Sequence, residues 1–212
     1  MAQRTIHYLF GEMLSNEIEL TDKERFLLGS ILPDAIERCD RDKSHFKVRT
    51  DMLSYFDFEA YQNQYRDLIQ QDDLYLGYYM HLVEDAFYRA YIYQDCYTMP
   101  RNPEEVEWLH QDYHILNSWI VQKYGIHNIL KKDIILAHEP IARIVPFRIH
   151  EFLEELSRDF TEQTDGATVF LTESMLDEFI EAYLPLAIEE IKNLRNGTSA
   201  LRAMDYAWPR KR

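Results

Sequence analysis

The stretch YLGYYMHLVEDAFYRAY, residues 75–91, constrains the fold more than any other part of the chain. It is apolar and aromatic over many consecutive positions, as in a helix buried on most of its surface. Yet it carries a histidine, two acids and an arginine, and burying charge without a partner costs several kcal/mol. Steps of four from Gly77 reach His81, Asp85 and Arg89, which in a helix share one stripe, while Leu76, Tyr79, Met80, Val83 and Phe87 point elsewhere. The glycine one turn before His81 is expected to leave space beside it. At this spacing His81 and Asp85 can present nitrogen and oxygen to one metal ion or to two adjacent ones. The plainer reading is an intrahelical hydrogen bond between them, with Arg89 paired to Asp85.

Helical punctuation recurs elsewhere and strand punctuation is scarce. TDKE at Thr21–Glu24 has the form of a capping box, and NPEEVEWL from Asn102 offers a cap, a first-turn proline and two acids for the helix dipole. The pattern predicts helices near 5–16, 21–31, 57–70, 73–96, 103–124, 128–138, 146–160 and 172–194, with Pro185 kinking or breaking the last. Period-two alternation is nearly absent. A long loop is expected over residues 32–54, and TEQTDGAT separates two late helices. The expectation is an all-α, single-domain multi-helix bundle around a metal site over residues 1–195. A peripheral basic tail follows over 196–212, which Tyr206 and Trp208 could dock.

A formal net charge of −14 disfavours nucleic acid and anionic membranes as partners unless basic residues are gathered locally. The first residues lead into a mixed polar segment rather than a secretory signal, and no apolar run approaches the roughly 20 residues of a bilayer span. A cytoplasmic protein without a transmembrane segment is therefore expected. Cys39 and Cys96 form neither a disulfide framework nor a cysteine-rich zinc site. The many tyrosines, among them Tyr75, Tyr78, Tyr79, Tyr88, Tyr91 and Tyr93, read as helix-packing residues with a wet hydroxyl rather than a base-stacking platform.

Three further segments bear on the stripe. LLGSILPDAIE, residues 27–37, runs a helix into a proline stop and leaves Asp34 just beyond it, as a cap for the next segment or a residue pointing into a cleft. KSHF puts His45 in the long loop, and RTIHYLF puts His7 on the first helix. Each histidine alone reads as a packed or surface residue. Their order is the informative part: His, then Asp after Gly-x-x-x-Pro, then His-Phe, then His-x-x-x-Asp in a long helix.

With His7, GSILPD ending at Asp34, HF at His45 and LGYYMHLVED carrying His81 and Asp85, the first 95 or so residues resemble the zinc-dependent phospholipase C family. Its wider superfamily includes single-strand-specific zinc nucleases. The resemblance implies helices around a metal cluster. It implies that His7 binds one zinc, that His45 and His81 bind a second, that Asp85 bridges the two, and that Asp34 is a base or lies beside the metals. In the secreted members the processed N-terminal residue also ligates metal, whereas here six residues precede His7. The family's further histidine about six residues after the bridging aspartate is replaced here by FYRAY, with Tyr91. A substitute could come from WLHQDYHILN, where His110 and His114 stand four apart, and Asp112 and Asn117 in that segment are further candidates.

Histidine nitrogen and carboxylate oxygen suit zinc, and equally iron or manganese, and a site poor in sulfur favours catalysis over a closed structural role. One or two ions held by His7, Asp34, His45, His81 and Asp85 could polarise a phosphoryl oxygen and activate water. Asp34 could then orient or deprotonate that water, and Arg89 could hold a phosphate oxygen. No His-Asp doublet, Gly-rich phosphate loop, GxSxG or HExxH occurs. The expected function is metal-dependent hydrolysis of a small phosphoester. A single-strand nuclease and a helical metal-binding or regulatory protein without turnover are the alternatives.

Overall fold

In a computed structural model, which describes residues 2–92, 96, 100–131 and 133–210, the constraining stretch is helix α5, Asp73–Ala90. Every residue from Leu74 to Tyr88 is buried, as a helix apolar on most of its surface requires. Of the expected continuation to residue 96, residues 93–95 lie outside the described set, Tyr93 among them. Helices α1 (Arg4–Glu17), α2 (Lys23–Ile31), α4 (Phe58–Gln71) and α8 (Glu173–Arg195) pack around α5. Between α2 and α4 lies the one-turn helix α3, Arg41–Ser44; α6 (Pro103–Tyr124) and α7 (Ile149–Asp159) complete the bundle. The described chain is mostly α-helical, and no helix in it is long and apolar enough to cross a membrane.

The closest seam joins α2 to α5. A Cβ on Gly77 would lie 2.1 Å from the Phe26 carbonyl oxygen, and one on Gly29 would lie 2.1 Å from the Leu74 carbonyl oxygen. Backbone meets backbone there, so the space beside Gly77 is filled by α2 rather than left open next to His81. The tyrosines of α5 pack as read, but the hydroxyls of Tyr78 and Tyr79 are buried on protein partners rather than wet. Tyr78 stacks on Tyr61 with centroids 4.9 Å apart and gives its hydroxyl to the Ser44 carbonyl at 2.6 Å. Tyr79 gives its hydroxyl to Glu190 at 2.8 Å.

Several helix ends follow their signals and some do not. Asn102 caps α6 through the Glu105 amide with Pro103 in the first turn, as expected. Asp22, not Thr21, caps α2, its carboxylate accepting from the Arg25 amide. Pro185 lies inside α8 without breaking it. No helix forms among the described residues of 128–138, and Lys132 lies outside them. Gly125, at φ +61°, stops α6, and the next amides bond to side chains instead of to carbonyls four residues back. Ile129 N–H meets the Tyr8 hydroxyl, Leu130 N–H the Asn128 carbonyl oxygen, and Lys131 N–H the Glu24 carboxylate. An extended chain so satisfied has no need of the helical ladder.

The expected loop over 32–54 is largely structured. A 3-10 turn at Leu32–Asp34 prolongs α2, and another at Arg38–Asp40 leads into α3. Phe46 then takes a left-handed backbone at φ +48°, which costs a residue with a side chain about 1 kcal/mol. Its ring is held edge-on to Tyr61, with centroids 5.3 Å apart. The turn delivers the chain into β1 (Lys47–Arg49), which pairs antiparallel with β2 (Leu53–Phe56). The C-terminal segment is not peripheral: β3 (Trp208–Pro209) pairs with β2, Ser54 opposite Trp208, and both Ala203 and Trp208 are buried. Lys211 and Arg212 lie outside the described residues.

The α2–α5 seam has a direct test. Gly77→Ala is expected to destabilise the protein by about 3 kcal/mol or more in urea unfolding, because the clash is with backbone that cannot rotate away. A loss below about 1 kcal/mol would mean that the seam has slack it does not show.

Candidate metal centre

Five of the residues singled out by sequence meet at one point in the fold. His7 comes from the first turns of α1, Asp34 from the 3-10 turn after α2, His45 from the end of α3, and His81 and Asp85 from the middle of α5. His7, His45, His81 and Asp85 have no solvent exposure, while Asp34 keeps 13% of its side chain exposed. Asp34 thus turns into the cluster, where its partners are Arg41, His45 and His7, rather than capping a helix as its local sequence also allowed.

Each imidazole is anchored through Nδ1. His81 Nδ1 lies 2.8 Å from the Ser30 carbonyl, His45 Nδ1 lies 3.0 Å from the Arg41 carbonyl, and His7 Nδ1 lies 2.9 Å from a Glu84 carboxylate oxygen. A carbonyl only accepts, so neutral His81 carries its proton on Nδ1 and leaves Nε2 with a bare lone pair; His7 likewise holds a proton on Nδ1 toward Glu84, and His45 Nδ1 also lies 2.9 Å from the Ser44 hydroxyl. All three Nε2 atoms then face the aspartates. His45 Nε2 is 3.3 Å from Asp34 and 3.5 Å from Asp85, His7 Nε2 is 3.7 Å and 3.6 Å from the same two, and His81 Nε2 is 3.9 Å from Asp85. His45 Nε2 and His81 Nε2 stand only 3.2 Å apart.

Three imidazoles and two carboxylates buried this close together are costly unless a cation, whether a proton on His7 or a metal ion, lies between them. Ligand atoms around a tetrahedral ion with bonds of roughly 2 Å are about 3.3 Å apart, close to the spacings here. Ligand atoms of His7, Asp34 and His81 lie within 4.8 Å of one another, and so do those of His45, His81 and Asp85. His7 Nε2 and Asp85 Oδ2 are buried with no hydrogen-bond partner, as open ligand positions would be. These buried histidines and aspartates can therefore hold a metal ion.

The electrostatics agree with the geometry. Burial, reinforced by the charge of His7, holds His81 well below its ordinary pKa and so neutral. Burial alone would raise Asp34, but Arg41 and His45 outweigh it and hold the carboxyl well below its usual range. Asp85 is lowered in the same way, burial being overcome by His7 and His81. Burial also opposes protonation of His7, yet Glu84, Asp85 and Asp34 together raise it to about 9, so a proton can hold part of the cation's place. Glu84 itself is raised by burial against the pull of His7.

The sequence reading missed Glu84. It neighbours Asp85 and so points about 100° around the helix, off the stripe. Such a partner fixes the ring and its tautomer in many metal sites. Also missed was the Ala2 amide, which donates to Asp85 Oδ1 at 3.2 Å and brings the start of the described chain to the cluster.

Other candidates lie apart. His110 and His114 are exposed on α6, and neither joins a metal-sized cluster among the described residues. Asp112 is buried and accepts the amides of Val169, Phe170 and Leu171, which fixes the loop before α8. Asn117 is buried on the same helix, outside the cluster. Cys39 is exposed, Cys96 is partly buried, and neither is a member. Arg89 sits above Asp85 with its guanidinium 4.0 Å from the centre of the Trp208 ring.

Above the cluster opens a cavity of about 690 Å³, bordered by Asp34 and Arg89 and by cations that the sequence reading did not single out: Arg4, Arg38, Arg41, Lys47 and Arg49. His110 is also on its wall. Comparison with protein-family models, curated proteins and solved structures returned no match.

Two substitutions separate a metal centre from packed histidines. His81→Ala is expected to lose most bound metal, measured by elemental analysis, with helical circular dichroism nearly unchanged. Full metal content in that variant would make His81 a packing residue. Glu84→Gln keeps an acceptor for His7 but removes the charge, and is expected to weaken metal binding on the order of 10-fold. An unchanged affinity would detach Glu84 from the centre.

Proposed function

We propose that the chain is a metal-dependent hydrolase of small phosphoesters, related to the zinc-dependent phospholipase C family. One observation carries the proposal: three imidazoles and two aspartates converge in a buried cluster beside a cavity lined by cations, with Asp34 common to both. His7, Asp34, His45, His81 and Asp85 would hold one or two zinc ions, and their nitrogen and oxygen donors would also suit iron or manganese. When bound, such an ion supplies Lewis acidity toward a phosphoryl oxygen and acidifies a water.

The chain's own groups supply the rest. Asp34 borders both the cluster and the cavity, so it is the carboxylate best placed to meet an incoming water. Arg41, 3.1 Å from Asp34, keeps it ionised. A carboxylate held so low is a weak base, so its part is to orient the water more than to strip it. Arg89 and Lys47 stand where guanidinium and ammonium groups would hold non-bridging phosphate oxygens. The cavity suits a small molecule rather than a nucleic-acid strand, which the net charge of −14 repels elsewhere on the surface.

Asp34→Asn tests the assignment, since asparagine preserves the contact with Arg41 but cannot take a proton and ligates poorly. Turnover on a panel of phosphomonoesters and phosphodiesters is expected to fall on the order of 100-fold with helical circular dichroism retained. Metal retained alongside that fall makes Asp34 the water-orienting group, and parallel metal loss makes it a ligand. Unchanged turnover would remove it from the reaction. Stoichiometric metal with no turnover on any phosphoester in the wild-type chain would identify a metal-binding protein instead.

A further inference from the structure

The cations that line the cavity are held in two ways. Arg4, Arg41 and Arg49 sit on carboxylates: Arg4 on Asp159 and Glu155, Arg41 on Asp34, and Arg49 on both oxygens of Asp42. Lys47 and Arg89 lie against the ring of Trp208. The Arg89 guanidinium is 4.0 Å from the ring centre and the Lys47 ammonium 5.3 Å from it, both within reach of a cation–π contact. Lys47 is also 5.8 Å from the centre of the Phe56 ring and 4.0 Å from an Asp42 oxygen. A ring face steadies a cation without adding negative charge, whereas a carboxylate cancels the charge it holds.

Strand register explains why these groups meet. Side chains alternate faces along a strand, and directly opposed residues share a face. Lys47 stands opposite Phe56, Ser54 lies two residues before Phe56, and Trp208 stands opposite Ser54. All four therefore share one face of the sheet, and the Phe56 and Trp208 rings pack with centroids 5.0 Å apart. Arg89 arrives from the last turn of α5, one turn beyond Asp85. Trp208 is only 7% exposed, and the segment that carries it is fixed at three places. Glu190 accepts from the Ser199 hydroxyl at 2.7 Å and the Ala200 amide at 2.9 Å, Glu59 accepts from the Ala203 amide at 2.9 Å, and the Arg210 amide donates to the Met52 carbonyl at 2.8 Å. None of these groups belongs to the histidine–aspartate cluster, so the ring can be changed without touching a candidate ligand.

We infer that Trp208 is a positioning residue: strand β3 carries its ring against Lys47 and Arg89 and sets both cations toward a phosphate in the cavity. That this phosphate belongs to a substrate rests on the phosphoester-hydrolase reading, while the placing of the two cations rests on their contacts with the ring. Lysine and arginine lose rotamer freedom when they close on an anion, and a ring that holds them beforehand lowers that cost. The same contacts serve the bound substrate and the transition state alike, so their loss is expected in KM and not in kcat.

Calorimetry of the zinc-supplemented full chain with inorganic phosphate tests this, together with kcat and KM on a phosphoester that the wild-type chain hydrolyses. Trp208→Leu keeps an apolar side chain but removes the ring. It is expected to weaken phosphate binding about 5- to 10-fold and to raise KM by a similar factor, with kcat within about 2-fold and zinc content unchanged. Trp208→Phe, which keeps a ring face, is expected to stay within about 3-fold of wild type. In a background carrying Lys47→Gln and Arg89→Gln, Trp208→Leu is expected to cost nothing further, because a positioning residue acts only through what it positions. Should the leucine variant not fold, site-specific replacement of Trp208 by progressively fluorinated tryptophans keeps the shape and thins the negative ring face. Phosphate affinity is then expected to fall stepwise with fluorine content. No phosphate binding by the wild-type chain, an affinity indifferent to leucine or to fluorine, an equal loss from Trp208→Leu in the doubly substituted background, or a parallel fall in zinc content would overturn the inference. The phosphate titration needs no turnover, so the two readings fail separately. Ring-dependent phosphate binding in a chain that hydrolyses no phosphoester refutes the hydrolase and keeps Trp208 in its role, whereas turnover with ring-independent phosphate binding does the reverse.

Discussion

The backbone contact between α2 and α5 at Gly29 and Gly77 is the constraint on which the site depends. Because nothing separates the helices there, the Ser30 carbonyl comes within 2.8 Å of His81 Nδ1. That contact puts the His81 proton on Nδ1 and leaves Nε2 bare. The same helix, carried on by the turn through Pro33, brings Asp34 to the opposite edge of the cluster. A side chain at either glycine would push α2 away and move both a ligand's anchor and a candidate site carboxylate. Packing and chemistry are therefore one problem in this fold.

The second organising element is a division of charge. The buried cluster is rich in acceptors, and the cavity beside it, which shares Asp34, is lined by cations. Burying acceptors together is unfavourable alone, while Lys47 and Arg89 both lie over the face of Trp208. A metal ion in the cluster would offset the cost of burying those acceptors. The C-terminal strand contributes directly, because Trp208 pairs with Ser54 in the sheet and backs the cations of the rim.

Periodicity made part of the site legible in the sequence and left the rest hidden. His81 and Asp85 were legible because four residues is one turn of helix, and most helix spans were legible from the same period. His7, Asp34 and His45 could be joined to them only through their order along the chain, since nothing local distinguishes a ligand from a packed histidine. Glu84 went unread because its neighbour Asp85 occupied the stripe. The cations of the rim come largely from short turns and three-residue strands, which carry no period, and the whole-chain charge of −14 masked them. The segment 128–138 has helical composition, but Tyr8, Asn128 and Glu24 take its amides. Gly77 was noticed for the right reason and given the wrong neighbour: its missing side chain admits a helix, not a ligand.

The central claim is that the histidine–aspartate cluster is a metal centre. Equilibrium dialysis of the chelator-stripped chain against zinc, read by elemental analysis and by X-ray absorption at the metal edge, tests it most directly. The account predicts at least one equivalent of zinc per chain, in a shell of nitrogen and oxygen without sulfur, because neither cysteine belongs to the cluster. Retention well below one equivalent, or a shell containing sulfur, would contradict it.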